Sequence, residues 1–342
     1  MNAALEVSVI MANRNGGPHL GAAIQSLREQ TLSSWELVFV DDASTDDSAR
    51  QAERLAAGDP RIRVVRLGSS GGPARARNCA LELVRGRWTA VFDSDDLMLP
   101  DRLATLHARA IADGAKILAD NQLQFSGSMR SRPLLPPVWV QHPRWVGLVE
   151  FVDSSRLYSR IPDLGYLKPF IETATLQRLG VRYDERLRIG EDYDFMARLL
   201  SRGLSIRLEP RALYLYRKHA NSTSYRLRRS DIAALIEANE SFVSSLCIPT
   251  RGMVRALGRR KRSLETMLLY DDFVAAVKAR QFSRAAGRVV AAPRIWPLMA
   301  EPVAARLRRL RARTRSPQPE LFKPAPGVSR FPEGLSQLNQ PS

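Results

Sequence analysis

Three acidic residues, Asp93, Asp95 and Asp96, lie within four positions directly after an apolar run. That run, residues 88–92, is typical of a buried parallel strand that ends at this point. Three carboxylates would repel one another in a dry core, but at a solvent-accessible rim a divalent cation could lie between them. Such hard cations take oxygen ligands, commonly one or two carboxylates together with substrate phosphates. The stretch therefore predicts a metal–diphosphate site at a strand tip, with a solvated acidic turn before a helix as the alternative.

Two other acidic pairs occupy similar positions. Asp41 and Asp42 follow the apolar residues 35–40, which predict a second strand. Glu191 and Asp192 precede apolar residues at helical spacing, which places both in the first turn of a helix. Acids in a first helical turn are favoured by the helix dipole, so a structural role is open beside a catalytic one.

Strands and helices alternate over roughly the first hundred residues, and this alternation predicts how the acids are positioned. The strands are predicted at residues 7–12, 35–40, 62–65, 88–93 and 116–120. The pattern predicts an α/β fold with a mostly parallel, twisted sheet flanked by helices. Further along, residues 170–180 predict a helix, and residues 205–208 and 213–219 predict two separate strands. Residues 122–169 show no clear period, and we interpret them as a long insertion that lines an acceptor or substrate cleft.

Composition divides the chain of 342 residues into three parts. Residues 1–230 are predicted to form one domain, with a first part at 1–121, where strands and helices alternate, and a second part at 122–230, where the pattern becomes irregular. Residues 231–315 form a basic helical extension, because 17 Lys or Arg but only four acids lie between 251 and 315. Residues 316–342 are rich in Pro, Ser and Gln and predict a disordered tail.

Several classes of protein are not favoured. Two cysteines are too few for a disulfide framework, and neither has the spacing of a metal ligand. No secretory signal or long apolar segment is apparent, which predicts a cytoplasmic protein. The loop at residues 68–72 lacks the G-x-G-x-x-G spacing of a dinucleotide-binding enzyme. The net charge of +17 indicates an anionic partner.

Five motifs carry a resemblance to a known family. In chain order they are VSVIMANRN, LVFVDDASTD, GGPARARN, VFDSDD and GEDYDFMARLLSRG, and they span about residues 5–220. With these motifs the chain resembles the family 2 glycosyltransferases, which have the nucleotide-sugar-binding GT-A fold. Among the members, it is most similar to bacterial exopolysaccharide enzymes of the succinoglycan type.

The resemblance implies that residues 1–230 are the catalytic domain, with a donor half at 1–121 and an acceptor half at 122–230. It also implies a role for each matched position. Asp192 is the expected catalytic base, and Glu191 is expected to orient it or to contact the acceptor. Asp42 is expected to bind the nucleotide base, typically uracil, and Asp41 to be structural. The expected metal ligands are Asp95, Asp93 and Asp96, which would hold Mg²⁺ or Mn²⁺. The other expected nucleotide-binding residues are Ala12, Asn13, Arg14, Arg77, Asp93, Ser94, Arg217 and His219. Arg77 and Asn78 could equally anchor a helix, and His219 could be structural.

The implied reaction is an inverting, metal-dependent transfer from a UDP-sugar, such as UDP-glucose, to a hydroxyl of a growing exopolysaccharide. The expected acceptor is linked to polyprenyl diphosphate. The basic extension then predicts a peripheral location on the inner face of the plasma membrane, through anionic lipids. A solvated, arginine-rich surface is the alternative, and nucleic acid is not expected. Two other functions stay open: a non-catalytic nucleotide-sugar-binding subunit of a membrane assembly, and a sugar nucleotidyltransferase.

Overall fold

The computed structural model describes residues 4–126, 129–140, 144–156, 159, 162–219, 227–296 and 298–299. The described residues form two compact units. The first comprises the described residues up to 155 and those from 159 to 219, and the second comprises Arg156 and the described residues from 227 onward. The predicted tail at 316–342 and the last part of the basic extension lie outside the described residues.

A ten-stranded mixed sheet is the centre of the first unit, within the part of the chain that the structure describes. Its strands are Val7–Asn13 (β1), Trp35–Asp41 (β2), Ile62–Arg66 (β3), Trp88–Val91 (β4), Leu97–Met98 (β5), Ile117–Ser126 (β6), Met129–Pro133 (β7), Arg144–Val146 (β8), Pro169–Glu172 (β9) and Ile206–Arg217 (β10). The order is β3-β2-β1-β4-β9-β6-β10-β5, with β7 beside β6 and β8 beside β10. Strands β3, β2, β1 and β4 are parallel, and so are β6 and β10. Strand β9 is antiparallel to both of its neighbours, β4 and β6.

Helices flank this sheet and also build the second unit. The helices of the first unit are Gly17–Arg28 (α1), Ser48–Ala57 (α2), Gly72–Leu83 (α3), Arg102–Asp113 (α4), Pro137–Val140 (α5), Leu148–Ser154 (α6), Thr173–Leu179 (α7) and Glu191–Leu200 (α8). The helices of the second unit are Arg229–Ser245 (α9), Arg251–Lys278 (α10) and Phe282–Ala291 (α11). The predicted α/β class, with a large sheet between helices, is confirmed.

The two faces of the sheet have separate cores, as the alternation along β1 shows. Val9 and Met11 belong to one cluster together with Leu20 and Ile24 of α1. Ile10, between them, belongs to a second cluster with small alanines of α3. Successive side chains of a strand point to opposite faces, so a strand that is buried on both faces is mostly apolar and does not alternate. Each such aliphatic side chain contributes about 1.5–3 kcal/mol through burial.

The predicted helix at 170–180 is wrong in its first three residues. Residues 169–172 form β9, and the helix α7 begins only at Thr173. Phe170 and Ile171 are both fully buried, and Phe170 stacks on Trp88 of β4 with 5.1 Å between ring centroids. A short strand that is buried on both faces has no alternating pattern, so periodicity alone could not separate it from a helix.

Two other predictions also differ from the structure. The two strands expected at 205–208 and 213–219 are one strand, β10, with irregular pairing to β6 between Glu209 and Ala212. Pro210 lies in that interval, where it has no N–H to donate to the ladder. The segment 122–169 is not without structure, because it contains the end of β6, the elements β7 to α6 and a short 3₁₀ turn at 164–166. Its role in lining an acceptor or substrate cleft stays a prediction.

Candidate active site

The strand directions bring the predicted site residues to one edge of the sheet. The parallel strands β1, β2 and β4 all end there, and β10, which is parallel to β6, ends there as well. Because β9 is antiparallel to β4 and β6, it begins at this same edge. Asp93 follows the end of β4, and Lys168 immediately precedes β9. Open α/β sheets bind their ligands at this edge.

Two cations bind both carboxylate oxygens of Asp93. Arg77 Nη2 lies 2.9 Å from Asp93 Oδ1, and Lys168 Nζ lies 2.7 Å from Asp93 Oδ2. All three side chains are buried or mostly buried. Burial alone would raise the pKa of Asp93, but the charges of Lys168 and Arg77 hold that pKa below its usual range.

The same two cations bind the acids at the start of α8. Arg77 Nη1 lies 2.6 Å from Glu191 Oε1 and 3.2 Å from Asp192 Oδ1. Lys168 Nζ donates to Asp192 Oδ2 at 3.2 Å. The helix is entered through Gly190, whose φ of 81° suits glycine. One network thus joins the acid of the strand tip to both acids of the helix.

Three carboxylates and two cations leave this network with a net charge of −1 when all are ionised. Burial and the charge of Asp192 raise the pKa of Glu191, although Arg77 opposes the shift. Burial would lower the pKa of Lys168, but Asp93 and Asp192 raise it well above its ordinary value. Lys168 is therefore an ammonium throughout the physiological range.

Asp96, the third acid of the strand-tip cluster, is fully buried. The Tyr214 hydroxyl donates to its Oδ2 at 2.7 Å, and the Arg217 backbone N–H donates to its Oδ1 at 2.7 Å. Burial and the charges of Asp95 and Asp93 raise the pKa of this carboxyl well above its usual value. Both oxygens of Asp96 thus have internal donors.

Asp95 differs from its two neighbours because its side chain is 33% exposed. His219 Nε2 lies 2.8 Å from Asp95 Oδ2, and Arg217 Nε donates to the Asp95 carbonyl oxygen at 2.7 Å. Within the described residues, no hydrogen bond is donated to Asp95 Oδ1.

The donor set at this tip fits a divalent cation. Asp93, Asp95 and Asp96 each offer a carboxylate oxygen, and these oxygens lie within 4.8 Å of one another. Carboxylates suit Mg²⁺ and Mn²⁺, which commonly keep positions for water and substrate phosphates. Since the oxygens of Asp93 and Asp96 already have donors, Asp95 is the most available ligand.

The remaining predicted nucleotide contacts lie at the tips of β1 and β2. Asp42 accepts hydrogen bonds from the Ser70 hydroxyl at 2.7 Å and from the N–H groups of Gly71 and Gly72 at 2.7 and 2.9 Å. The Arg14 guanidinium also donates to Ser70. Asp42 thus holds the loop before α3, and its binding of a nucleotide base stays a prediction.

Close packing joins the end of β1 to the strand-tip cluster. The Asn13 amide donates to Asp41 Oδ1 at 3.1 Å, while Ala12 beside it is half-buried. A Cβ at Gly16 would lie 2.3 Å from Asn13 Oδ1 and 2.9 Å from the Ser94 hydroxyl. Only glycine permits this approach without a shift of its neighbours.

Arg77 and Asn78 have internal partners, in line with the alternative that the sequence left open for them, and two other residues of the site were not identified from the sequence. Asn78 anchors the chain before α8, since its amide donates to the Tyr183 carbonyl and accepts from the Tyr183 N–H. Arg77 contacts the acids of α8 and Asp93, and its contact with a nucleotide stays a prediction. Lys168 and Tyr214 were not identified, because neither belongs to a motif and both contacts span distant parts of the chain.

Comparisons with known proteins agree with this arrangement. The model of the family described as "Glycosyl transferase family 2" matches residues 8–159. The succinoglycan biosynthesis protein ExoO of Rhizobium meliloti (strain 1021) is 36% identical over 309 residues, covering 90% of this chain and 88% of that protein. The Escherichia coli protein WfaP is 28% identical over 225 residues, covering 64% of this chain and 79% of its own length. The full name of WfaP is UDP-Glc:alpha-D-GlcNAc-diphosphoundecaprenol beta-1,3-glucosyltransferase.

A solved structure supports the fold. Staphylococcus aureus TarS (residues 1–349), in complex with UDP-GlcNAc, superposes with a TM-score of 0.63 at 19% identity. The match covers 83% of this chain and 79% of that one. At this identity the likeness supports the GT-A-type architecture alone.

Proposed function

This chain belongs to glycosyl transferase family 2 and is a glycosyltransferase, and from this premise we propose that it is an inverting, metal-dependent enzyme that uses a UDP-sugar. The observation that carries the proposal is the network joining Asp93, at the tip of β4, to Asp192, at the start of α8. Asp93 lies at the candidate metal site, and Asp192 is available as a base.

Asp192 is the proposed general base. Transfer to a hydroxyl requires that the acceptor lose a proton as its oxygen bonds the anomeric carbon and the nucleotide leaves. One carboxylate near that hydroxyl can take the proton. A single base acting on the face opposite the leaving group inverts the configuration, which would give a β-linked product from an α-linked UDP-sugar. The β-1,3 product in the name of WfaP is consistent with this outcome.

Asp95 is the proposed principal metal ligand, with Asp93, Asp96 and His219 around it. When bound, Mg²⁺ or Mn²⁺ supplies positive charge to the diphosphate as it leaves. Arg217 donates to the Asp95 carbonyl oxygen, which holds its guanidinium beside the candidate metal site. There it can add positive charge for the leaving diphosphate. Ala12, Asn13, Arg14, Asp42 and Ser94 are proposed to line the nucleoside side.

Calorimetric titration tests the donor class and the metal ligand together. UDP, GDP and ADP are titrated with and without Mn²⁺ into the wild type, Asp95→Ala and the control Glu53→Ala, which changes a half-exposed acid on α2. We expect UDP to bind with Mn²⁺, and binding to weaken at least about tenfold, or about 1.4 kcal/mol, only in Asp95→Ala. The metal site would be refuted if the Kd for UDP changed neither on addition of Mn²⁺ nor in Asp95→Ala.

The proposed base is tested by Asp192→Asn. We expect sugar transfer to fall by about 10²–10⁴-fold while the Kd for UDP stays unchanged. The assay measures UDP released from UDP-glucose, with and without a synthetic GlcNAc-diphosphate lipid. An Asp192→Asn enzyme with wild-type turnover would refute the role of this residue.

The acceptor is proposed to be a lipid-linked saccharide in exopolysaccharide synthesis. ExoO is named for succinoglycan biosynthesis, and the name of WfaP contains a diphosphoundecaprenol acceptor. Transfer to the GlcNAc-diphosphate lipid that exceeds transfer to free GlcNAc would support this class. Equal rates would contradict it.

The second unit offers a surface for the membrane that would carry such an acceptor. Phe282, Val290 and Trp296 are exposed at 66%, 77% and 57%. Residues 251–296 contain eleven Lys or Arg and three acids. Exposed apolar side chains among basic ones suit the surface of an anionic leaflet, where each basic residue contributes about 1 kcal/mol. Among the described residues, no helix has the length and apolar character needed to cross a bilayer. From the exposed apolar and basic residues of this surface, we propose peripheral binding at the inner face of the plasma membrane.

Vesicle flotation tests this proposal. The protein should float with vesicles that contain phosphatidylglycerol but not with phosphatidylcholine alone, and raised salt should weaken binding. The double variant Phe282→Ala/Trp296→Ala should lose flotation. Ile111→Ala, which removes an exposed apolar side chain of the first unit, should keep it. Equal flotation by both variants would refute the role of this surface.

A further inference from the structure

Lys168 occupies the position between the donor side and the acceptor side of the site. Its side chain is only 6% exposed, yet its ammonium contacts Asp93 Oδ2 at 2.7 Å and Asp192 Oδ2 at 3.2 Å. These two acids come from different elements, the tip of β4 and the first turn of α8. Lys168 is thus a direct link between them.

The two oxygens of Asp192 differ in their surroundings. Oδ1 is buried and, among the described residues, has no hydrogen-bond partner, although Arg77 Nη1 lies 3.2 Å away. Oδ2 accepts a hydrogen bond from Lys168. Because Oδ1 is shielded from solvent, Oδ2 is the oxygen that can meet an acceptor hydroxyl. Lys168 therefore contacts the oxygen with which the proposed base would take the proton.

The backbone of Lys168 is fixed by a buried ion pair. Its carbonyl accepts a hydrogen bond from Arg102 Nη2 at 3.0 Å. Arg102 also pairs with Asp120 of β6 at 2.9 Å, and both side chains are fully buried. The next residue, Pro169, is in register with Ala119 of β6. The ammonium thus projects from a rigid part of the sheet.

We propose that Lys168 is a positioning residue that holds Oδ2 of Asp192 at a fixed place relative to Asp93. The proposal rests on the proposed role of Asp192 as the base. Without this ammonium, Asp93 and Asp192 would be like charges with only Arg77 to separate them. Asp192 would then be free to turn toward Arg77 and away from the acceptor.

The expected defect is in turnover and not in nucleotide binding. Displacing a reacting group by about 1 Å can cost about 10²-fold in rate. We therefore expect Lys168→Met, which keeps the apolar stem, to lower kcat by about 10²-fold and to change the Kd for UDP by less than about threefold. Lys168→Arg, which keeps a cation, should lose less than Lys168→Met.

A double-mutant cycle separates positioning from a general structural effect. The rate of UDP release from UDP-glucose, with Mn²⁺ and water as the acceptor, is measured for wild type, Lys168→Met, Asp192→Asn and the double variant. Lys116→Met is the matched control, because Lys116 pairs with Glu172 at the far end of β9 and is half-exposed. Thermal melts check folding, and Lys168→Gln replaces Lys168→Met if the latter does not fold.

The cycle gives distinct outcomes. If Lys168 positions the base, adding Lys168→Met to the Asp192→Asn variant should lower the rate of UDP release by less than about a further threefold. The reason is that no anionic base remains for Lys168 to hold. The same large loss in both backgrounds, or an unchanged kcat in Lys168→Met, would overturn the proposal. A wild-type kcat in Asp192→Asn would instead overturn the proposed function, and with it the role of Lys168.

Discussion

Removing the Arg77 side chain should destabilise the fold strongly, because this buried cation faces three carboxylates. In Arg77→Met, Lys168 alone would remain to balance Asp93, Glu191 and Asp192. Removing one partner of a buried ion pair costs about 3–5 kcal/mol, because the other charge stays buried. For a domain of about 200 residues, this corresponds to a melting temperature lower by roughly 6–20 °C. The change is measured by thermal unfolding at pH 8.

The pH dependence of this loss has a definite sign. Glu191 already has a raised pKa in the wild type, and without Arg77 the neighbouring acids also lose a charge that favours ionisation. Between pH 8 and pH 5 the folded variant therefore binds more protons than its unfolded chain, so its stability rises as the pH falls. In the wild type, the lowered pKa of Asp93 acts in the opposite direction, and its contribution is lost only as the pH falls below about 4.

Arg75→Met is the matched control for this experiment. Arg75 is an exposed arginine two residues earlier on α3, and its Nη1 donates to the Ser69 carbonyl oxygen at 3.4 Å. We expect this change to stay within about 0.5 kcal/mol of the wild type. The reasoning would be refuted if both variants melted within about 2 °C of each other at pH 8, or if the deficit of Arg77→Met did not shrink at pH 5.

Three further changes test other contacts of the site. Tyr214→Phe removes the hydroxyl that donates to Asp96, and it should cost about 1–3 kcal/mol in urea denaturation because a buried carboxyl loses a donor. Gly16→Ala places a Cβ 2.3 Å from a buried amide oxygen at the end of β1, so it should cost about 1–3 kcal/mol and weaken UDP binding in calorimetry. Asp120→Asn leaves Arg102 buried without a counter-charge and should cost about 3–5 kcal/mol in thermal unfolding. For each variant, a loss of less than about 0.5 kcal/mol in the free energy of unfolding would contradict the stabilising role of the altered contact.

The parallel half of the sheet could be predicted because its signals are local. Residues 7–12 and 35–40 are runs of strand length that are apolar except for Ser8 and Glu36, and each ends in polar residues or in acids. Alternating helices then make the strands parallel, which places all of their carboxyl ends at one edge. The position of Asp42 and Asp93 follows from this order alone, without any long-range contact.

The central cations could not be predicted in the same way. Arg77 and Glu191 are separated by 114 positions, and no period or spacing in the sequence joins them. The position of Lys168 could not be predicted for a further reason, because residues 170–172 were wrongly assigned to a helix. Only an antiparallel β9 puts residue 168 beside the tip of β4, because a parallel strand would begin at the opposite edge.

The three acids of the strand tip are alike in sequence, and only their partners separate their chemistry. Asp93 accepts hydrogen bonds from two cations, Arg77 and Lys168, so both of its oxygens already have partners. Asp96 accepts from Tyr214 and from a backbone N–H, and burial favours its protonated form. A protonated or fully paired carboxyl is a poor ligand for a hard cation, since the metal competes for the same lone pairs. Asp95 is the member with an oxygen, Oδ1, to which no described residue donates a hydrogen bond. The metal-dependent part of nucleotide binding should therefore depend on Asp95 more than on either neighbour.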